Sequence, residues 1–144
     1  MTWRKTIRIE RSRSGLPCVW ERGGGATNTG AATIIADPEG RPKRAIYVRR
    51  KGSLSCGEHA LIPVRIGDVV IEASHHRGDF DINVFRIVEV LNEEAVVEAI
   101  ADFRNGEWAP QEPDGAIAEA VKAAQRKAMC YHCREPHYIL RPEQ

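Results

Sequence analysis

No apolar run in this chain is long enough to cross a bilayer. The longest, such as Ala60-Leu61-Ile62 and Val69-Val70-Ile71, are strand-sized, whereas a spanning helix needs about 20 apolar residues. The opening residues Met1-Thr2-Trp3-Arg4-Lys5 lack the apolar stretch of a secretory signal, so a cytoplasmic setting without a membrane partner is expected. There is no internal repeat and no low-complexity tract, which argues against a solenoid or a long disordered linker. No Gly-Lys-Ser/Thr phosphate loop, ribonucleoprotein motif, KH motif or helix-turn-helix signature is present. Cysteine is scarce. There are four in 144 residues, and only Cys130 and Cys133 have true Cys-x-x-Cys spacing. A disulfide framework is therefore not the first reading in a chain of this length.

What is present is ordinary in bulk and uneven in detail. Charged residues make up 28% and hydrophobic ones 42%, which fits one globular domain over residues 1–144 with a working core. The net charge of +1 hides an asymmetry. Residues 1–52 carry 12 Lys and Arg against 4 Asp and Glu, so the remaining 92 residues are net acidic. A basic half points to nucleic acid or another anionic partner, unless the two halves pack together and neutralise one another.

Cys130-Tyr131-His132-Cys133 is the sharpest local motif, and Cys56-Gly57-Glu58-His59 is its natural distant partner. Two ligands separated by two residues converge on one ion through a knuckle turn, and structural zinc takes two such pairs in a closed tetrahedron. The expected ligands are Cys56, His59, Cys130 and Cys133. Cys18, His132 and His137 are alternates, because a four-cysteine set and the Cys133-x-x-x-His137 spacing are both workable. Zinc held by four protein ligands would be structural, with no open position for a substrate water. The competing readings are small buried thiols or a redox pair.

Along the chain, Ile7 and Ile9 alternate with Arg8 and Glu10 as a strand with one wet face, and Cys18–Glu21 reads as the next strand. Gly23–Gly30 is glycine-rich but leads into the strand-like Ala32–Ala36, so a mobile hairpin loop is expected there rather than a phosphate loop. The turn residues Asp37–Pro42 predict a hairpin that joins Ala36 to a strand over Arg44–Arg50. That strand sets Tyr47 among cations, the pairing used on single-stranded nucleic acid, where bases stack on rings and cations follow the backbone. The expected basic face comprises Arg4, Lys5, Arg8, Lys43, Arg44, Arg49, Arg50 and Lys51, with Trp3 and Tyr47 as stacking surfaces. A solvated edge strand guarded by charge is the plainer alternative.

Farther on, Ala60–Ile66 and Asp68–Ser74 are β-rich segments that bend at Gly67, and Phe80–Leu91 is apolar on both sides, as a central strand would be. Between them, His75, His76, Asp79 and Asp81 form a cluster suited to acid–base work, but with no nucleophile or oxyanion motif beside it. Asn92–Phe103 fits either a helix or a strand. The Asn105-Gly106 turn tips it toward strand. Asp114 and the spacing of Ile117, Val121, Ala124 and Ala128 predict a helix over about 114–129.

These patterns predict a mostly β fold of the β-rich α+β kind. It would be a small antiparallel barrel or curled sheet carrying one C-terminal helix and a Cys-x-x-Cys tail. The first functional expectation is a non-enzymatic module that binds RNA or single-stranded nucleic acid and is stabilised by zinc. The alternative is an enzyme acting on a small anionic or phosphorylated ligand through His75, His76, Asp79 and Asp81 beside the Gly23–Gly30 loop. That alternative requires both loops at one end of the sheet, lining one pocket. A subunit or adaptor of a larger complex has no signature of its own.

Overall fold

A computed structural model describes residues 2–26, 29–50 and 58–129. In chain order the strands are β1 (Arg4–Arg8), β2 (Glu10–Arg11), β3 (Pro17–Ala26), β4 (Thr29–Ala36), β5 (Tyr47–Arg50), β6 (Glu58–Pro63), β7 (Val69–His76), β8 (Asp79–Val90), β9 (Glu94–Arg104) and β10 (Glu107–Ala109). One helix, α1 (Gly115–Ala128), follows. The sheet order is β1-β9-β8-β7-β4-β3-β6-β5, with β10 on β9 and β2 on β3, and every pairing is antiparallel. The sheet curls into an open half-barrel, the β-rich fold with one C-terminal helix that the patterning predicts. No helix among the described residues is long and apolar enough to cross a membrane.

Two apolar layers explain why the central strands are hydrophobic on both faces. One face of the sheet packs against α1 through Ile34, Ile71, Ile82 and Val84, which meet Ala120, Val121, Ala124 and Ala128. The opposite face fills the curl with Ile35, Val70, Phe85, Ile87 and Val97. The uneven alternation of β8 comes from irregularities at Val84/Phe85 and Ile87/Glu89. The second of these returns Val90 to the side of Phe85 and Ile87, whereas strict alternation groups it with Ile82. Glycine lets the helix lie close. A Cβ on Gly23 would sit 2.8 Å from Lys127 Cγ, and one on Gly40 would run into the Ile117 backbone, while Gly40 itself holds φ +98°.

Several expectations meet a clear outcome. Asn92–Phe103 forms a strand, β9, paired along β8, and Asn105-Gly106 turns it into β10 with both residues at positive φ. The hairpin predicted across Asp37–Pro42 does not form. β4 pairs with β3 and β7, β5 pairs with β6, and only an Ala36–Pro42 bridge remains. Two interactions account for this, one local and one tertiary. The Asp37 carboxylate accepts the Glu39 and Arg41 N–H groups at 2.9 Å each and closes a tight side-chain-capped turn. Lys43 then reaches the Pro63 carbonyl at 2.6 Å and ion-pairs with buried Asp68, which turns the chain toward β6. The glycine run is not an open loop either. Gly23–Gly25 and Gly30 are residues of β3 and β4, and the tip at 27–28 lies outside the described residues.

Candidate functional site

β2 leaves the end of β1 and pairs with the start of β3, Glu10 opposite Cys18 and Arg11 opposite Pro17. The curled sheet is thereby closed at one corner, while β1 and the upper part of β3 stay apart. The space between them is a cleft of about 500 Å³, lined by Ile7, Arg8, Glu10, Val19, Trp20, Arg22, Thr33, Arg49, His59, Val70 and Glu72. Val19 and Val70 give it an apolar floor, and its walls are mostly charged.

The register explains how residues distant in sequence converge here. Arg49 pairs with His59, the β3–β6 pairing reaches Glu21–Ala60 just before Arg22 and His59, and Arg22 pairs with Thr33. Arg49, His59, Arg22 and Thr33 therefore form one cross-strand row over four strands, and neighbours in such a row lie about 5 Å apart. The row continues through Glu72, Asn83 and Asp102 and changes sign on the way. Lys5 pairs with Glu72 at 2.6 Å, and the Trp3 indole donates to Asp102 at 3.4 Å. The Oδ1 atoms of Asn83 and Asp102 are buried without a hydrogen-bond partner among the described residues. The cation-rich part of the cleft thus lies on the β3–β6 side.

Among the described residues, Arg8, Arg22 and Arg49 form no ion pair, although Glu10 and Glu72 line the same space. Glu72 is engaged by Lys5, and Glu10 accepts the Trp20 indole N–H at 3.1 Å. In register Arg8 faces Glu94, Arg22 faces Thr33 and Arg49 faces His59. The Arg49 guanidinium lies 4.9 Å from the Trp20 ring centre, a cation–π contact. Tyr47 meets the Trp20 edge with ring centres 6.1 Å apart and remains 52% exposed.

Of the basic face expected from sequence, the structure brings Arg8 and Arg49 to this cleft, sets Tyr47 against the Trp20 ring beside it, and disperses the rest. Arg4 pairs with Glu98 at 2.8 Å, and Lys5 with Glu72. Lys43 is a structural cation on buried Asp68, Arg44 is exposed outside the cleft lining, and Arg50 ends β5. Trp3 stands edge-on against Phe85 at 5.1 Å. Lys51 lies outside the described residues. Arg22, Trp20 and Thr33 were missed from sequence. The signal was there in Trp20-x-Arg22, two alternating positions on one face of β3, but the glycines that follow drew attention to a loop instead.

Of the metal residues, Cys56, Cys130, Cys133, His132 and His137 lie outside the described residues. His59 is buried in the cleft, its ring 6.4 Å from that of Trp20. Cys18 is fully buried at the closed corner. Burial pushes its thiol pKa up, and Sγ donates to the Leu16 carbonyl at 3.4 Å. Among the described residues, no three His, Cys, Asp or Glu side chains are grouped to hold an ion.

The His75–Asp81 cluster is divided between two faces. Arg77 and Gly78, both at positive φ, make the two-residue turn between β7 and β8. His75 and Phe80 pair in register with ring centres 5.0 Å apart, and buried His75 Nε2 accepts the Gly78 N–H at 3.1 Å. His76 and Asp79 pair on the opposite face and are exposed, as is Asp81. Thr29 pairs with His76 and Gly30 with His75, so this turn and the β3–β4 tip do share one end of the sheet. Comparison with family models, with curated proteins and with solved structures returns no match.

Proposed function

We propose that this chain is a non-enzymatic module that binds single-stranded nucleic acid in the cleft of its half-barrel. The observation that carries this reading is the set of Arg8, Arg22 and Arg49, without ion pairs among the described residues, in one cleft with Trp20, whose ring the exposed Tyr47 meets from outside the lining. Phosphate recognition needs cations that carboxylates have not already neutralised, and base recognition needs an accessible ring. A fluorescence-anisotropy titration with a labelled single-stranded oligonucleotide tests it. Binding in low salt is expected, weakening steeply toward 200 mM. Arg22→Gln and Arg49→Gln should each reduce affinity and lower the salt slope by about one. Absence of binding to single-stranded RNA and DNA in low salt contradicts the proposal.

A structural zinc is proposed beside it, held by Cys56, Cys130 and Cys133 with a fourth ligand from His59, His132 or His137. Two placements support it. β6 begins at Glu58 beside the upper part of β3, and α1 brings Lys127 against Gly23 of that same stretch. The chain therefore enters β6 and leaves α1 at one end of the sheet. Cys18 sits five residues from Gly23 along β3, roughly 16 Å at the usual rise of a strand, which disfavours it as a ligand. Elemental analysis of protein purified without added metal should find about one zinc per chain with its thiols masked. Metal-free protein in which Cys56, Cys130 and Cys133 react freely contradicts it.

The enzymatic alternative keeps one point in its favour, the adjacency of the β3–β4 tip and the β7–β8 turn. Against it, His75 and His76 lie on opposite faces of the sheet. The cleft supports binding better.

A further inference from the structure

We propose that the cleft is a terminal-phosphate site, which takes the phosphomonoester at the end of a nucleic-acid strand rather than its internal backbone. The inference rests on the nucleic-acid reading above and adds which part of the strand enters. Shape is the first ground. The β2–β3 pairing closes the cleft at Glu10–Cys18 and Arg11–Pro17, and the Trp20–Glu10 hydrogen bond stands across that corner. That corner bounds the cleft on one side, which suits the seating of a strand end.

Size agrees. A cleft of about 500 Å³ is that of a site for one small ligand. Such pockets span roughly 300–1,000 Å³. Grooves that track single strands hold about 4–16 nucleotides. One nucleotide with its phosphate fits the dimensions here, and several do not.

Charge is the third ground. An internal phosphodiester carries one negative charge, whereas a terminal phosphomonoester carries about −1.5 to −2 near neutral pH and offers three acceptor oxygens. Arg8, Arg22 and Arg49 all line the cleft, and the planar fork of a guanidinium can take two phosphate oxygens. The Thr33 hydroxyl, beside Arg22 in register, adds a neutral donor. Tyr47, exposed beside Trp20, offers its ring to the adjoining base.

The test uses the full chain and single-stranded oligonucleotides of one sequence that bear a 5′-phosphate, a 3′-phosphate or hydroxyls at both ends. One phosphorylated form should bind about tenfold tighter than the hydroxyl form, the scale of charge-assisted contacts. Arg22→Gln and Arg49→Gln, both at exposed positions, should each erase most of that preference. Lys122→Gln, the same charge change on exposed α1, should retain it. A nucleoside monophosphate, which carries the same phosphomonoester and one base, should displace the phosphorylated strand when in excess. Failure to displace it overturns the terminal-phosphate assignment. Equal affinity for all three oligonucleotides also overturns the inference while leaving nucleic-acid binding intact. Absence of binding to any of them in low salt overturns both.

Discussion

Asp37 shows how one side chain redirects a chain. Burial raises its pKa, but the N–H groups of Arg41, Glu39 and Gly40 and the Arg41 guanidinium outweigh that and hold the carboxyl below the usual range. A carboxyl depressed in the folded state stabilises above its unfolded pKa of about 3.9, and that contribution fades as pH falls through the lower folded value. Urea midpoints of the wild type and Asp37→Asn should therefore differ most at pH 5–7 and converge below about pH 4. A difference that is constant across that range contradicts this. At the same scale, sequence found Arg8, Tyr47 and Arg49 through the basic bias of residues 1–52 and an aromatic set among cations. It could not separate them from Arg4, Lys5 and Lys43, whose carboxylate partners Glu98, Glu72 and Asp68 are 25 to 94 positions away. Whether a surface cation is spent on the fold or left for a ligand is decided by such distant pairings.

At the scale of elements, α1 is fastened to the sheet by an ion pair that no local pattern announces. Lys127 Nζ lies 3.3 Å from the Glu21 carboxylate with both side chains buried, and the other Glu21 oxygen accepts the Ile35 N–H at 3.2 Å. Removing one partner breaks a buried ion pair, so Glu21→Gln should lower stability in denaturant unfolding by up to roughly 3 kcal/mol. Glu21→Gln combined with Lys127→Met should recover much of it. A single substitution within about 0.5 kcal/mol of wild type contradicts the role. The helix itself was legible, because Ile117, Val121, Ala124 and Ala128 repeat along one face. β9 was legible through the Asn105-Gly106 turn. The false hairpin at Asp37–Pro42 had equally good turn chemistry. What accompanied its loss was a local side-chain cap within the turn and a lysine drawn to a buried aspartate 25 positions away, the second a tertiary fact.

Among the described residues, one face of the sheet is covered by α1 and the other carries a cleft where β1 and β3 separate. Curl, closure and cleft arise from β2 pairing with β3, a two-residue contact too short to be read from sequence. The basic bias of the first 52 residues was legible as a tendency. Its concentration into Arg8, Arg22 and Arg49 needed the register of four strands. The most direct measurement is therefore a map of where a bound oligonucleotide touches the protein, made by amide NMR perturbation during titration. Perturbations should gather on the cleft side of β1, β3, β4, β5 and β6, at Arg8, Trp20, Arg22, Thr33, Tyr47 and Arg49, and leave α1 unchanged. Perturbations confined to α1, or to the β7–β8 turn at Arg77-Gly78, would contradict the assignment of the cleft.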